Sequence, residues 1–255
     1  KYYFYQTELD SSNNTYSNVT FAQTNGGPMG GVIHLYSNQL NQIASFTNDR
    51  FVGNTLSSTG TNSEETDWSA GGAVNVKGYT ATFNDVLFQD NRVESSVAHN
   101  GVVTVGGAVF LDKTINTKGN ADTVANFVIN KDIAYTGNTV SNTGTGEGTT
   151  VYGGYAVSSG GFLFMDRKST ANFIVNEGAT LTLGEAGATD THADTIDSSM
   201  TTDQQANDYG GHNLLTKQGA GTMVINSSLD GYYGKLQVEN GELKVSQDWT
   251  ISNEV

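Results

Sequence analysis

Short apolar runs alternating with other residues recur along this chain, each introduced by a pair of glycines: Gly30-Gly31-Val32-Ile33-His34-Leu35, Gly71-Gly72-Ala73-Val74-Asn75-Val76, Gly106-Gly107-Ala108-Val109-Phe110-Leu111 and Gly160-Gly161-Phe162-Leu163-Phe164-Met165. In an extended strand successive side chains point to opposite faces, so Ile33/Leu35, Val74/Val76, Val109/Leu111 and Leu163/Met165 share an inner face. The residue between them, His34, Asn75, Phe110 or Phe164, is expected to face outward. Glycine tolerates positive φ and carries no Cβ, which suits a sharp corner pressed against neighbouring backbone. No window sustains apolar residues at 3.6-residue spacing, so no helix is expected.

A second pattern alternates with the first: an aromatic residue, two variable residues and Asn. It reads Phe51-Val52-Gly53-Asn54, Phe88-Gln89-Asp90-Asn91 and Tyr135-Thr136-Gly137-Asn138, with a looser copy from Phe21 to Asn25. Another aromatic stands five residues earlier in three copies, at Tyr16, Phe46 and Phe83, and Phe127 precedes Tyr135 by eight. The glycine pairs begin 41, 35 and 54 residues apart. Self-similarity on this scale is the mark of a solenoid, whose units bury their apolar faces on one another. The fold class is therefore all-β, a right-handed parallel β-helix with protruding loops, with residues 1–255 forming one body. An antiparallel sandwich would share the short strands without predicting recurring units.

Within such a fold Phe51, Phe88 and Tyr135 fill the core. Asn54, Asn91 and Asn138 hydrogen-bond corner backbone or the equivalent Asn one coil away. Counting each unit as two coils of roughly 20 residues, about ten coils stacked about 4.8 Å apart give a shaft on the order of 50 Å long. Residues 1–15, polar and Tyr-rich, are expected to cap the first coil. The polar stretches Ser57 to Ser69, Asn116 to Asp122 and Asn142 to Thr150 read as loops leaving the shaft. Residues 184–213, rich in Asp and poor in large apolar residues, are expected to protrude.

Composition sharpens this picture. With 31 Gly and 1 Pro the chain turns often while keeping its ladder donors. Asp plus Glu number 26 against 12 Lys plus Arg, a formal charge of −14. Phosphate backbones and anionic membranes need clustered cations, so neither is an expected partner. Zero Cys removes thiol catalysis, disulfides and Cys-based zinc sites, and fits a chain that must stay threadable through an export pore. No apolar run approaches the roughly 18 residues needed to span a bilayer, and Lys1-Tyr2-Tyr3-Phe4 leads into no signal-peptide core, so the chain reads as a mature fragment.

Candidate chemistry is sparse. Asp190-Thr191-His192-Ala193-Asp194 places Asp190, His192 and Asp194 on one side of an extended segment as a metal-ligand candidate, against the simpler reading of a solvated acidic loop. His34, His99 and His212 are isolated. The Gly-Asp-Ser-Gly setting of a serine nucleophile is absent, and Arg50, Arg92 and Arg167 fall at unrelated places in their units, leaving little to stabilise a transition-state anion. No enzyme activity and no cofactor are expected. Phe110 and Phe164, at equivalent outward positions, are candidate ligand-stacking aromatics unless a neighbouring segment covers them.

The alternation of Gly-Gly-Ala-(Ile/Leu/Val), full at Gly71 to Val74 and Gly106 to Val109, with Phe-x-x-Asn at Phe51/Asn54 and Phe88/Asn91, resembles the repeats of the chlamydial polymorphic membrane proteins, which are autotransporter adhesins. Leu215-Thr216-Lys217-Gln218-Gly219-Ala220-Gly221-Thr222 followed by Tyr232 to Val245 resembles the passenger-associated transport repeat, assigned to residues 214–245. These resemblances imply a passenger of a type V secretion system, exported to the bacterial cell surface and anchored through a C-terminal β-barrel absent from this sequence. They imply an adhesin whose partner is a host-cell surface protein or glycan, or another copy of itself in aggregates and biofilm. A stalk displaying another domain is the alternative, and a carbohydrate-active β-helix enzyme a third reading.

Overall fold

The computed structural model describes residues 1–24, 28–39, 42–59, 68–96, 103–112, 122–143, 158–166, 168–188, 193–199 and 213–247. The described residues form strands and turns without a helix, and every strand pairing is parallel. The protein is a parallel β-helix.

The Gly-pair strands are direct neighbours. Ile33 pairs with Val74, Val74 with Val109, and Val109 with Leu163. Tyr2–Tyr5 and Ile196–Ser198 complete this six-stranded sheet. Beside it runs a broad seven-stranded sheet of Leu9–Ser12, Gln42–Thr47, Tyr79–Asn84, Thr123–Ile129, Ser169–Val175, Leu214–Gln218 and Lys235–Val238. One Gly-pair unit is thus one coil, not two. The two motifs mark different corners of the same turn, each stacking on its own kind. Seven coils at about 4.8 Å per step make a shaft of about 29 Å, shorter than the expected 50 Å.

The corners explain the glycines. The first of each pair, Gly30, Gly71, Gly106 and Gly160, has φ between +64° and +74°. The second lies under the next coil: a Cβ on Gly31 would stand 2.0 Å from the carbonyl oxygen of Gly72, and one on Gly72 2.1 Å from that of Gly107. Inside, aromatic rings stack coil on coil. Phe46, Phe83, Phe127 and Phe173 form one column at 4.8 to 5.2 Å, and Tyr16, Phe51 and Phe88 another at 4.8 to 5.3 Å. Each ring buries on the order of 150–250 Å², so these columns dominate the hydrophobic stabilisation of the shaft.

The first column ends in a cation. Lys217 stands in register with Phe173 and is 1% exposed, and its ammonium donates to the carbonyls of Gln218, Gly219 and Asn240 at 2.8 to 3.0 Å. Burial lowers its pKa. The 214–245 segment supplies the last two turns through Leu214–Gln218 on Lys235–Val238 and Thr222–Ile225 on Glu242–Val245.

Several expectations change. Residues 1–15 do not lie across the first coil; they begin it, with Tyr2–Tyr5 and Leu9–Ser12 in the two main sheets. Tyr16, not Phe21, is the first-coil counterpart of Phe51, while Phe21 pairs with Leu56, and Asn25 lies outside the described residues. The region 184–213 is not wholly a protrusion. Asp194 through Ser199 are buried and Ile196–Ser198 is a shaft strand, because Ile196 continues the inner row of Leu163. Residues 189–192 and 200–212 lie outside the described residues.

Strands also leave the shaft. Thr55–Thr59 and Trp68–Ala70 lie side by side, joined by Ser69 Oγ donating to Ser58 Oγ at 2.8 Å. Their equivalents stack on them, giving a four-stranded and a three-stranded sheet beside the coils. The second, with Val103–Val105 and Ser158–Ser159, folds over the outer face of the Gly-pair sheet.

Candidate interaction surface

That covering sheet decides the fate of Phe110 and Phe164. They point away from the main core as expected, yet each is 1% exposed, packed with Ala70, Val103, Val105, Met29 and Trp68. As surface aromatics for a ligand they are corrected: they are the second, smaller core that fastens the covering sheet to the shaft. Asp197, next in the same row, anchors its far end by accepting from Ser159 Oγ and Gly160 N.

The aromatic-x-x-Asn motif builds a buried amide ladder. Asn54 Nδ2 donates to Asn91 Oδ1 at 2.8 Å, Asn91 Nδ2 to Asn138 Oδ1 at 3.0 Å, and Asn138 Nδ2 to Asp194 Oδ1 at 2.8 Å. Each Nδ2 also donates to the carbonyl of an aromatic one coil back: Tyr16, Phe51 or Phe88. All three Asn are 0% exposed, with every side-chain polar group partnered.

Asp194 is the ladder's terminus. Its carboxylate accepts from Asn138 N, Asn138 Nδ2 and Gly137 N, which commits it to the shaft corner. Its proposed fellow ligands Asp190 and His192 lie outside the described residues, and among the described residues no group of three His, Asp or Glu converges as a metal set. Burial pushes the Asp194 pKa up to about 6, the charge of Asp90 adds to this, and the Asn138 and Gly137 donors oppose it. A raised acid pKa favours folding most when the group is protonated. The contribution is full below about pH 4 and lost as pH rises through 6. Melting temperature should therefore fall between about pH 4 and 6, with an upper bound near 3 kcal/mol, and Asp194→Asn should flatten that slope in a pH series of thermal melts.

His34 is the described histidine. It sits partly buried beside Tyr3, ring centroids 5.0 Å apart, and burial holds its pKa down to about 4, with Lys1 and Lys77 adding to the effect. It is neutral at physiological pH.

The broad sheet keeps an outer face that no described segment covers. Its middle row is Ser45, Thr82, Asn126, Asn172 and Thr216, flanked by Ile43, Thr80, Val124, Thr170 and Leu214 on one side and by Thr47, Asn84, Val128, Ile174 and Gln218 on the other. No charge interrupts these five coils, in a chain of net charge −14; Asp10 and Lys235 bound the window at either end. Except for the buried Thr216 the rows are partly or fully exposed, with Ile43 at 48%. Within the middle row Asn172 Nδ2 donates to Asn126 Oδ1 at 2.9 Å. Nothing in the motifs singled this face out. It became visible only when register aligned the outward positions of strands 37 to 46 residues apart.

No family model matches the chain, and no solved structure matches it. Over 103 residues, 39% of this chain, it is 28% identical to the probable autotransporter YfaL of Escherichia coli (strain K12), and the matched stretch covers 7% of that protein's length.

Proposed function

We propose that this chain is part of an exported autotransporter passenger displayed at the bacterial cell surface, and that it works there as a non-catalytic adhesive module. The similarity to an autotransporter, limited as it is to part of each chain, supports the export route, as do the resemblances to chlamydial adhesin repeats and the passenger-associated transport repeat. The observation that carries the adhesive reading is the charge-free face of the broad sheet. Surfaces of net charge −14 repel each other and most cell surfaces, so close approach favours a face without charge. Hydroxyl and amide side chains both donate and accept, which suits a glycan, a host surface protein or another copy of this chain. Individual contacts are weak and gain strength by repetition along the shaft.

Beads coated with the purified chain are expected to aggregate or to bind cells. Thr80→Glu/Thr170→Glu places two like charges on the face, two coils apart, and should reduce that binding at least tenfold while the circular dichroism spectrum stays unchanged. Absence of both activities, or binding untouched by the double substitution, would favour a stalk that displays another domain.

A further inference from the structure

A different place in the fold has the chemistry of a ligand site. On the outer face of the Gly-pair sheet the register aligns Tyr3, His34, Asn75, Phe110, Phe164 and Asp197. Asn75 is 0% exposed, yet neither its Nδ2 nor its Oδ1 has a hydrogen-bond partner. On the adjacent rung His34 Nε2 is likewise buried and without a hydrogen-bond partner. With the proton on Nδ1, the neutral ring would turn a bare lone pair outward from Nε2. Leaving such groups unpaired costs about 1–3 kcal/mol each, and the same fold satisfies its other buried amides, Asn54, Asn91 and Asn138, completely.

We propose that Asn75 and His34 form a subsite for a carboxamide-bearing ligand, such as the acetamido group of an amino sugar or the side-chain amide of a protein. The side-chain carboxamide of Asn75 offers one donor and one acceptor in a plane. Another amide is the neutral group that matches both at once. His34 Nε2 accepts one further N–H or O–H. Phe110, on the rung beyond Asn75, together with Met29 and Trp68 supplies an apolar wall for a methyl or methylene group. Tyr3, one rung before His34, is 58% exposed and edge-on to it. A site built from buried hydrogen-bonding groups discriminates strongly against ligands that lack the matching group. Charged ligands are disfavoured, since the wall is apolar and the amide neutral.

This subsite is separate from the broad-sheet face, so the two stand or fall independently. Saturation-transfer NMR on the full chain with acetamide, N-acetylglucosamine, a glutamine-containing tripeptide and glucose tests it. Acetamide should receive saturation and glucose should not. Transfer to the acetamido methyl of N-acetylglucosamine but not to the tripeptide assigns a sugar source, and the reverse a protein source. Asn75→Val should abolish all transfer and raise the melting temperature by roughly 2–6 °C, because it removes an unsatisfied buried amide. Thr80→Glu/Thr170→Glu should bind the probes as the parent does. The proposal is overturned if no amide probe binds, if glucose binds equally, or if Asn75→Val retains binding. A variant that melts lower or fails to fold would also overturn it, by giving Asn75 a structural partner. His34→Phe should weaken acetamide binding at least tenfold in a chain that still folds by circular dichroism; unchanged binding would remove His34 from the site.

Discussion

Asn91→Ala is expected to cost about 3–5 kcal/mol and to split the unfolding transition. Asn91 is the middle rung of the amide ladder: its Oδ1 accepts from Asn54 N and Nδ2, and its Nδ2 donates to Asn138 Oδ1 and Phe51 O. Truncation strands the Phe51 carbonyl and two Asn54 donors, its backbone N–H and one Nδ2 hydrogen, in a region without solvent. It also opens a space beside the Phe51–Phe88 stack. In a solenoid, stability is a sum of coil terms and nearest-neighbour interfaces, so weakening one interface uncouples the coils on either side. Urea titration followed by hydrogen exchange should show the coils before residue 60 and those after residue 103 losing protection at different concentrations. Asn91→Asp should be worse than Ala, since it turns an acceptor toward the Phe51 carbonyl and Asn138 Oδ1. If Asn91→Asp equals the parent in stability, the ladder is not what joins these coils.

The parallel β-helix was legible because its two devices are written in residue types. A Gly pair answers a corner without room for Cβ, and Phe-x-x-Asn answers a stack with a ladder at its edge. What could not be read was how the devices share a turn. Two motifs alternating in sequence look the same whether they lie in successive coils or at two corners of one coil; only the pairing of Val74 with both Ile33 and Val109 distinguishes them. Spacing also misled at the first coil, where the five-residue offset pointed to Phe21 although Tyr16 carries the stack and Val19 stands where the motif would have Asn. Alternation correctly turned Phe110 and Phe164 away from the core but says nothing of a second layer. That layer comes from strands such as Val103–Val105, which precede each Gly pair.

The ladder's end shows the same limit at the level of one residue. Asp194 lies in an acidic stretch, and composition assigns such a residue to solvent. The chain instead places Asp194 at the position where a fourth Asn would stand. A carboxylate has no amide hydrogen to pass on, so it closes the ladder rather than extending it. Asn75 is a converse case: a polar residue at an outward position reads as surface, yet it is buried and its amide has no partner.

Gly107→Ala should be among the most damaging single methyl additions in the described residues. A Cβ there would stand 2.2 Å from the Gly161 carbonyl oxygen in the next coil and 2.4 Å from the Thr139 carbonyl oxygen in its own. Both are backbone atoms held by the stacking of whole turns, so relief requires separating coils and breaking the ladder bond from Gly107 N to Gly160 O. The expected loss exceeds about 4 kcal/mol, enough to prevent folding of a marginally stable domain. Gly178→Ala is the control. Gly178 has φ +80°, but no atom lies within 4 Å of its added Cβ, so only the left-handed backbone resists, at about 1–2 kcal/mol. Parallel thermal melts and soluble yields of the two variants separate crowding from conformational strain. Equal effects would mean that the coil-to-coil contact at this corner yields more readily than its geometry indicates.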